Sequence, residues 1–67
     1  MSKSGKGYIV EFSQVGTVVR CSAVDPKTNV EVSTVGSVNH SREYMTNVAV
    51  RKLEYRLEKL RQENKRR

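Results

Sequence analysis

The last third of the sequence, residues 41–67, contains neither glycine nor proline and repeats apolar residues at intervals of three and four. Because an α-helix has about 3.6 residues per turn, such intervals place side chains on one side of a helix. The apolar positions are Met45, Val48, Ala49, Leu53, Leu57 and Leu60. The pattern predicts one long amphipathic helix, which needs an apolar surface to lie on.

The preceding residues contain three short segments in which apolar and polar residues alternate, at 8–13, 17–24 and 30–35. Gly16 suits the first turn between them, and Pro26 within residues 25–29 suits the second. Short turns between consecutive strands imply an antiparallel meander with one buried face. The sequence therefore predicts an α+β fold, a three-stranded antiparallel meander followed by one long C-terminal amphipathic helix, and we expect it to be dimeric.

The composition divides this chain into one domain and two short ends. Residues 1–7 are mostly Gly, Ser and Lys and predict a disordered tail. Residues 8–62 form a single βββα domain, and residues 63–67 form a frayed basic end.

The size of the chain is the reason to expect self-association. A domain of 67 residues buries only about 60 % of its unfolded surface and needs further stabilisation. One cysteine and one histidine form neither an internal disulfide nor a four-ligand zinc site. The helix, about 36 Å long, exceeds strands of about 20 to 26 Å, so Leu57 and Leu60 would stand in solvent on a monomer.

A second copy of the chain would cover this overhang. The apolar spacing fits a short heptad seam, which predicts a self-interface at Val50, Leu53, Leu57 and Leu60. If the 36–40 connection extends, each helix docks on its partner's sheet, and whether the homodimer is domain-swapped in this way stays open.

The net charge of +6 belongs to the end of the helix. Residues 1–50 carry five bases and four acids, whereas residues 51–67 carry eight bases and three acids. Nucleic acid is therefore a possible partner. The candidate phosphate contacts are Arg56, Lys59, Lys65, Arg66 and Arg67. Against this hypothesis, Glu54, Glu58 and Glu63 are interspersed among the bases, as on an ordinary solvated helix face.

Several segments together carry a family resemblance. They are Tyr8-Ile9-Val10-Glu11-Phe12, Val15-Gly16-Thr17-Val18-Val19, Ala23-Val24-Asp25-Pro26, Glu31-Val32-Ser33 and Val50-Arg51-Lys52-Leu53-Glu54-Tyr55. The sequence resembles a family of short, functionally uncharacterised bacterial proteins over about residues 8–60. The resemblance implies a small α+β homodimer with the possibility of exchanged elements, and it implies no activity.

The residues offer little for catalysis. Cys21 belongs to the core-facing set of its strand and His40 precedes the helix, so we expect an inert thiol and a turn-forming histidine. We expect no enzyme activity, cofactor, metal, small-molecule ligand or membrane contact, and we expect a cytoplasmic protein because a lone cysteine suits a reducing compartment. The function predicted is a small homodimeric interaction module, with nucleic-acid binding as the alternative.

Overall fold

The computed structural model describes residues 2–3 and 7–65, with side chains described for residues 7–64. The elements in chain order are β1 (Ser2–Lys3), β2 (Ile9–Val15), β3 (Val18–Asp25), β4 (Val30–Ser37) and α1 (Arg42–Lys65). The strands form one antiparallel sheet in the order β1-β2-β3-β4. The predicted α+β fold, a three-stranded antiparallel meander followed by one C-terminal helix, is confirmed for β2, β3, β4 and α1.

The two ends of the chain are described in part. Within the segment 1–7, predicted to be disordered, Ser2–Lys3 pairs with the start of β2 as a two-residue edge strand. At the other end, α1 continues through Lys65. The disordered tail and the frayed end stay predictions, since residues 1, 4–6 and 66–67 lie outside the described residues.

The turn between β2 and β3 is tighter than the sequence suggested. The pairing of Val15 with Val18 leaves only Gly16 and Thr17 in the turn, whereas the expected turn covered residues 14–16. Gly16 has a φ of 62°, which is the requirement at the first position of a type II′ turn. The Gln14 side-chain amide donates a hydrogen bond to the Gly16 carbonyl over 2.9 Å. Gln14 and Val15 lie within β2 and extend the hairpin instead of forming its turn.

The predicted turn between β3 and β4 is confirmed. The Asp25 carboxylate accepts hydrogen bonds from the Lys27 N–H over 3.0 Å and from the Thr28 hydroxyl over 3.2 Å. Asn29 takes a φ of 61°, the left-handed conformation that asparagine tolerates better than most residues. The aspartate side chain thus accepts hydrogen bonds from donors of the turn that Pro26 initiates.

The connection into α1 begins later than predicted. Gly36 was expected to break the strand, but β4 includes it and ends at Ser37. A Cβ at Gly36 would lie 2.9 Å from Nδ1 of His40 and 3.2 Å from Cε of Met45. Glycine is therefore used here for close packing inside a strand rather than for a turn.

Ser41 caps the helix. Its Oγ accepts a hydrogen bond from the Tyr44 N–H over 3.0 Å, and its carbonyl accepts one from the Met45 N–H over 3.1 Å. An N-cap serine satisfies a backbone donor that the helix itself leaves without a partner.

The core lies between α1 and one face of the sheet, where the helix packs mainly on β3 and β4. The fully buried side chains are Val10, Cys21, Ala23, Met45, Ala49 and Leu53. The small residues Ala23 and Ala49 allow the helix to approach the strands closely. Within the described residues, no helix is long and apolar enough to cross a bilayer.

Candidate interaction surfaces

Three bases of α1 lie on one side of the helix. Lys52, Arg56 and Lys59 follow at intervals of four and three, so they share a side. We call Lys52, Arg56 and Lys59 the basic flank; all three are exposed. Lys52 Nζ donates a hydrogen bond to the Ser33 carbonyl over 2.7 Å, which fixes the basic flank on the β4 side of the molecule.

Two acids of α1 lie on the side of the helix opposite the basic flank. Glu54 and Glu58 share a shallow cleft with Arg61 and with Tyr8, which directly precedes β2. Because β2 and β4 lie on opposite sides of β3, this side of the helix is opposite the basic flank. Glu63, four residues after Lys59, is the one acid on the basic side among the described residues of α1.

The positive charge of Arg61 is locally compensated. Arg61 forms an ion pair and a hydrogen bond with Glu58, one helical turn earlier. The hydrogen bond from Arg61 lowers the pKa of the Glu58 carboxyl, and the same contact raises the pKa of Arg61. The charges of the basic flank therefore stand apart from the compensated pair.

An exposed aromatic ring borders the basic flank. Tyr55 is 66 % exposed, and Lys59 Nζ lies 5.5 Å from the centre of its ring, within the range of a cation–π contact. Tyr44 is also exposed and stacks on His40, with ring centres 5.0 Å apart. The structure thus leaves two tyrosine rings on the helix surface.

The candidate phosphate contacts fall into two groups. Arg56 and Lys59 lie together on the basic flank. The side chain of Lys65 lies outside the described residues, as do Arg66 and Arg67, so their part stays a prediction. Lys52 joins the flank but was not among the candidates, although the same helical spacing could have identified it.

The residues predicted for self-association are all on the inner side of α1 or near it. Leu53 is fully buried against the chain's own sheet, and Leu57 packs against the core. Val50 and Leu60 are half-buried. The expectation that Leu57 and Leu60 stand in solvent is therefore wrong, since both are partly buried and Leu57 shares a cleft with Tyr8, the residue before β2. The self-interface and the swap stay predictions, because an exchanged helix would bury the same side chains.

The sheet presents a second face, turned away from α1, that the sequence did not single out. We call it the outer face. It consists of Ile9, Glu11, Ser13 and Val15 on β2, Val18, Arg20, Ser22 and Val24 on β3, and Glu31, Ser33, Val35 and Ser37 on β4. Val15, Val18 and Val35 are 81 %, 50 % and 60 % exposed. Alternation had assigned Val18 and Val35 to the side opposite the core, and Val15 was expected in the turn, so the pattern did not show how exposed these valines are.

Cys21 and His40 occupy separate places. Cys21 lies at the centre of the sheet, fully buried, and burial raises the pKa of its thiol against a smaller opposing effect of a hydrogen bond with Thr46. His40 lies in the loop before α1, where its Nδ1 accepts a hydrogen bond from the Ser37 N–H over 3.2 Å. Across the described residues, no three acidic, histidine or cysteine side chains cluster in a way that could hold a metal ion.

Comparison with family models gives one decisive observation. A domain of unknown function, DUF6898, matches residues 5–60, which is most of the chain. The chain belongs to this family. The DUF6898 match includes β2, β3 and β4, the basic flank and the outer face, and it ends before the basic C-terminal residues. Comparison with curated proteins and with solved structures gave no match.

Proposed function

We propose that this DUF6898 protein is a small, non-enzymatic interaction module that binds the backbone of nucleic acids through the basic flank. The observation that carries the proposal is the separation of charge around α1. Interspersed glutamates argued against phosphate binding when only the sequence was considered. Two of those glutamates, Glu54 and Glu58, lie on the other side of the helix from the flank.

The flank has a suitable size and character for phosphates. From Lys52 to Lys59 it extends roughly 10 Å along the helix axis. A duplex strand carries about three phosphates over that distance, since its rise is about 3.4 Å per nucleotide. Exposed lysine and arginine side chains there would displace the counterions that these phosphates hold, and the exposed Tyr55 ring borders the same surface.

The proposal includes the homodimer and the basic end of the chain. Two copies would present two basic flanks, which raises the affinity for a polymer of phosphates without any new contact. Lys65, Arg66 and Arg67 follow the flank and would add to its charge. Whether the two copies of this dimer exchange their helices stays open.

The experiment is fluorescence anisotropy of a labelled mixed-sequence duplex, titrated with the full chain over a salt series. The test variant carries Arg56→Gln and Lys59→Gln. We expect about tenfold or greater loss of affinity and a salt slope smaller by about two, because each phosphate contact contributes about 0.9 to the slope. Removal of residues 65–67 is expected to weaken binding further.

A matched control separates the flank from net charge. The variant Lys27→Gln with Arg61→Gln also loses two positive charges, at an exposed turn and on the acidic side of α1. It should bind within about threefold of the unchanged chain. Equal losses in both double variants would mean that net charge alone attracts the duplex, and the absence of binding near physiological salt would overturn the proposal.

A further inference from the structure

We propose that the outer face of the sheet is the surface on which a second copy of this chain docks, face to face and with strands antiparallel between the two layers. The inference rests on the proposed homodimer and names its interface, which differs from the helix seam predicted from the sequence. Its basis is the way in which apolar and charged residues are arranged in rows across β2, β3 and β4.

Strand register defines four rows on the outer face, because directly paired residues share a face. The first row contains Val15, Val18 and Ser37, and the second contains Ser13, Arg20 and Val35. The third contains Glu11, Ser22 and Ser33, and the fourth contains Ile9, Val24 and Glu31. The rows at the two ends are thus the most apolar, and the two middle rows carry one base and one acid.

Two sheets that stack about 10 Å apart with their strands nearly aligned have two symmetric arrangements. With the twofold axis along the strands, each row lies over the same row of the partner. Arg20 on the central strand would then face Arg20 of the other copy, and like charges juxtaposed across an interface are repulsive. This arrangement is disfavoured.

With the twofold axis across the strands, the first row lies over the fourth and the second over the third. Val15 then meets Ile9 of the other copy, and Val18 meets Val24. Arg20 comes to lie diagonally across from Glu11 of the other copy, which stands over Ser13 on the neighbouring strand. This arrangement is self-complementary in both apolar contact and charge, as a twofold interface requires.

The surfaces available for pairing favour this face over the helix. The valines of the first two rows are at least half exposed, whereas Leu53 is fully buried and Leu57 packs on the core. Three strands spaced about 4.8 Å apart, with seven or eight residues each, cover roughly 300 Å² of flat area per copy. This is small for a specific interface, so we expect a dimer that dissociates on dilution.

The test is sedimentation equilibrium of the full chain over a concentration series, with reversal of the two charges. Arg20→Glu and Glu11→Arg should each weaken dimerisation about tenfold or more, because each places like charges together. The double variant should recover to within about threefold of the unchanged chain. Val15→Ser, which leaves the charges intact, should also weaken the dimer. All these side chains are exposed, and circular dichroism verifies that each variant is folded.

Glu58→Arg on the helix is the matched control, since it makes the same charge reversal away from the sheet, and it should leave the dimer unchanged. A monomeric protein at all concentrations would overturn the homodimer itself. A dimer that ignores both outer-face reversals, or that dissociates with Leu60→Glu alone, would overturn the outer-face interface and leave the homodimer standing. Equal weakening by Glu11→Arg and Glu58→Arg would also contradict it.

Discussion

The same three strands present two faces that contrast sharply. The inner face buries Val10, Cys21 and Ala23 completely beneath α1. The outer face leaves Val15 and Val18 at least half exposed, with no described element packed over them. Both faces carry apolar residues, but within the described part of the chain only the inner face is covered, by α1.

The two faces differ because one helix covers only one side of a small sheet. The small residue Ala49 of α1 packs against the small residues of β3. The other face of an antiparallel sheet often contacts water, and it is then expected to be polar. Exposed valines clustered at one end of that face are the feature that a second copy would account for.

The largest expected effect comes from the inner face. Leu53→Ala removes a fully buried side chain and leaves a cavity between α1 and the sheet, so we expect the free energy of unfolding to fall by about 2–5 kcal/mol. Urea unfolding followed by circular dichroism measures it. A loss below about 1 kcal/mol would contradict the placement of Leu53 in the core.

The two faces should differ in how fast a thiol on them reacts. Cys21 should react with a thiol reagent at least about 100-fold more slowly than a cysteine introduced by Val18→Cys in a Cys21→Ser background, a difference of about 3 kcal/mol. Because burial raises the pKa of Cys21, its thiolate forms at higher pH, and its rate should rise at higher pH than that of the surface thiol. Similar rates and pH profiles would place Cys21 at the surface.

The contact between β4 and the start of α1 can be tested at Gly36. Gly36→Ala places a Cβ against His40 and Met45, so we expect about 1–3 kcal/mol of destabilisation from overpacking. Thermal unfolding measures this effect. In a double variant with His40→Ala, which removes the nearest atom, the cost of adding the methyl group should be smaller; strict additivity would show that the two residues do not touch.

The helix cap supports the inner face from one end. Ser41→Ala removes the acceptor for the Tyr44 N–H, and we expect a loss of about 1 kcal/mol in urea unfolding. Ser41→Asp keeps an acceptor and should be close to the unchanged chain. Equal losses in both variants would argue against capping by this side chain.

The smallest effect is expected on the outer face. Val35→Thr changes a residue that is 60 % exposed, so the free energy of unfolding of the diluted monomer should change by less than about 0.5 kcal/mol. Denaturation at low protein concentration tests this. A loss as large as that from Leu53→Ala would mean that the two faces are not different.

Sequence patterns predicted the inner half of this molecule well. Period-two alternation identified Val19, Cys21 and Ala23 as facing the core, and the helical period identified Met45, Ala49 and Leu53. These predictions succeed because burial against one neighbour imposes a period directly on the chain.

The other features of the structure depend on contacts between residues that are far apart in the sequence. The pattern did not show that Tyr8, the residue before β2, lies beside Leu57, because the position of the helix across the sheet is a tertiary property. The separation of Glu54 and Glu58 from the basic flank is implicit in the helical period. Its importance appears only when Lys52 is bonded to Ser33 on one side and Tyr8 lies near Glu58 on the other.

The most direct test of the contrast between the faces is a dilution series followed by backbone amide chemical shifts in two-dimensional NMR. Docking of a second copy on the outer face predicts concentration-dependent shifts that cluster at Val15, Val18 and Arg20, with α1 nearly unchanged. Shifts clustered between Leu57 and Gln62 instead, or spectra that do not change on dilution, would contradict the assignment of the outer face as the surface of self-association.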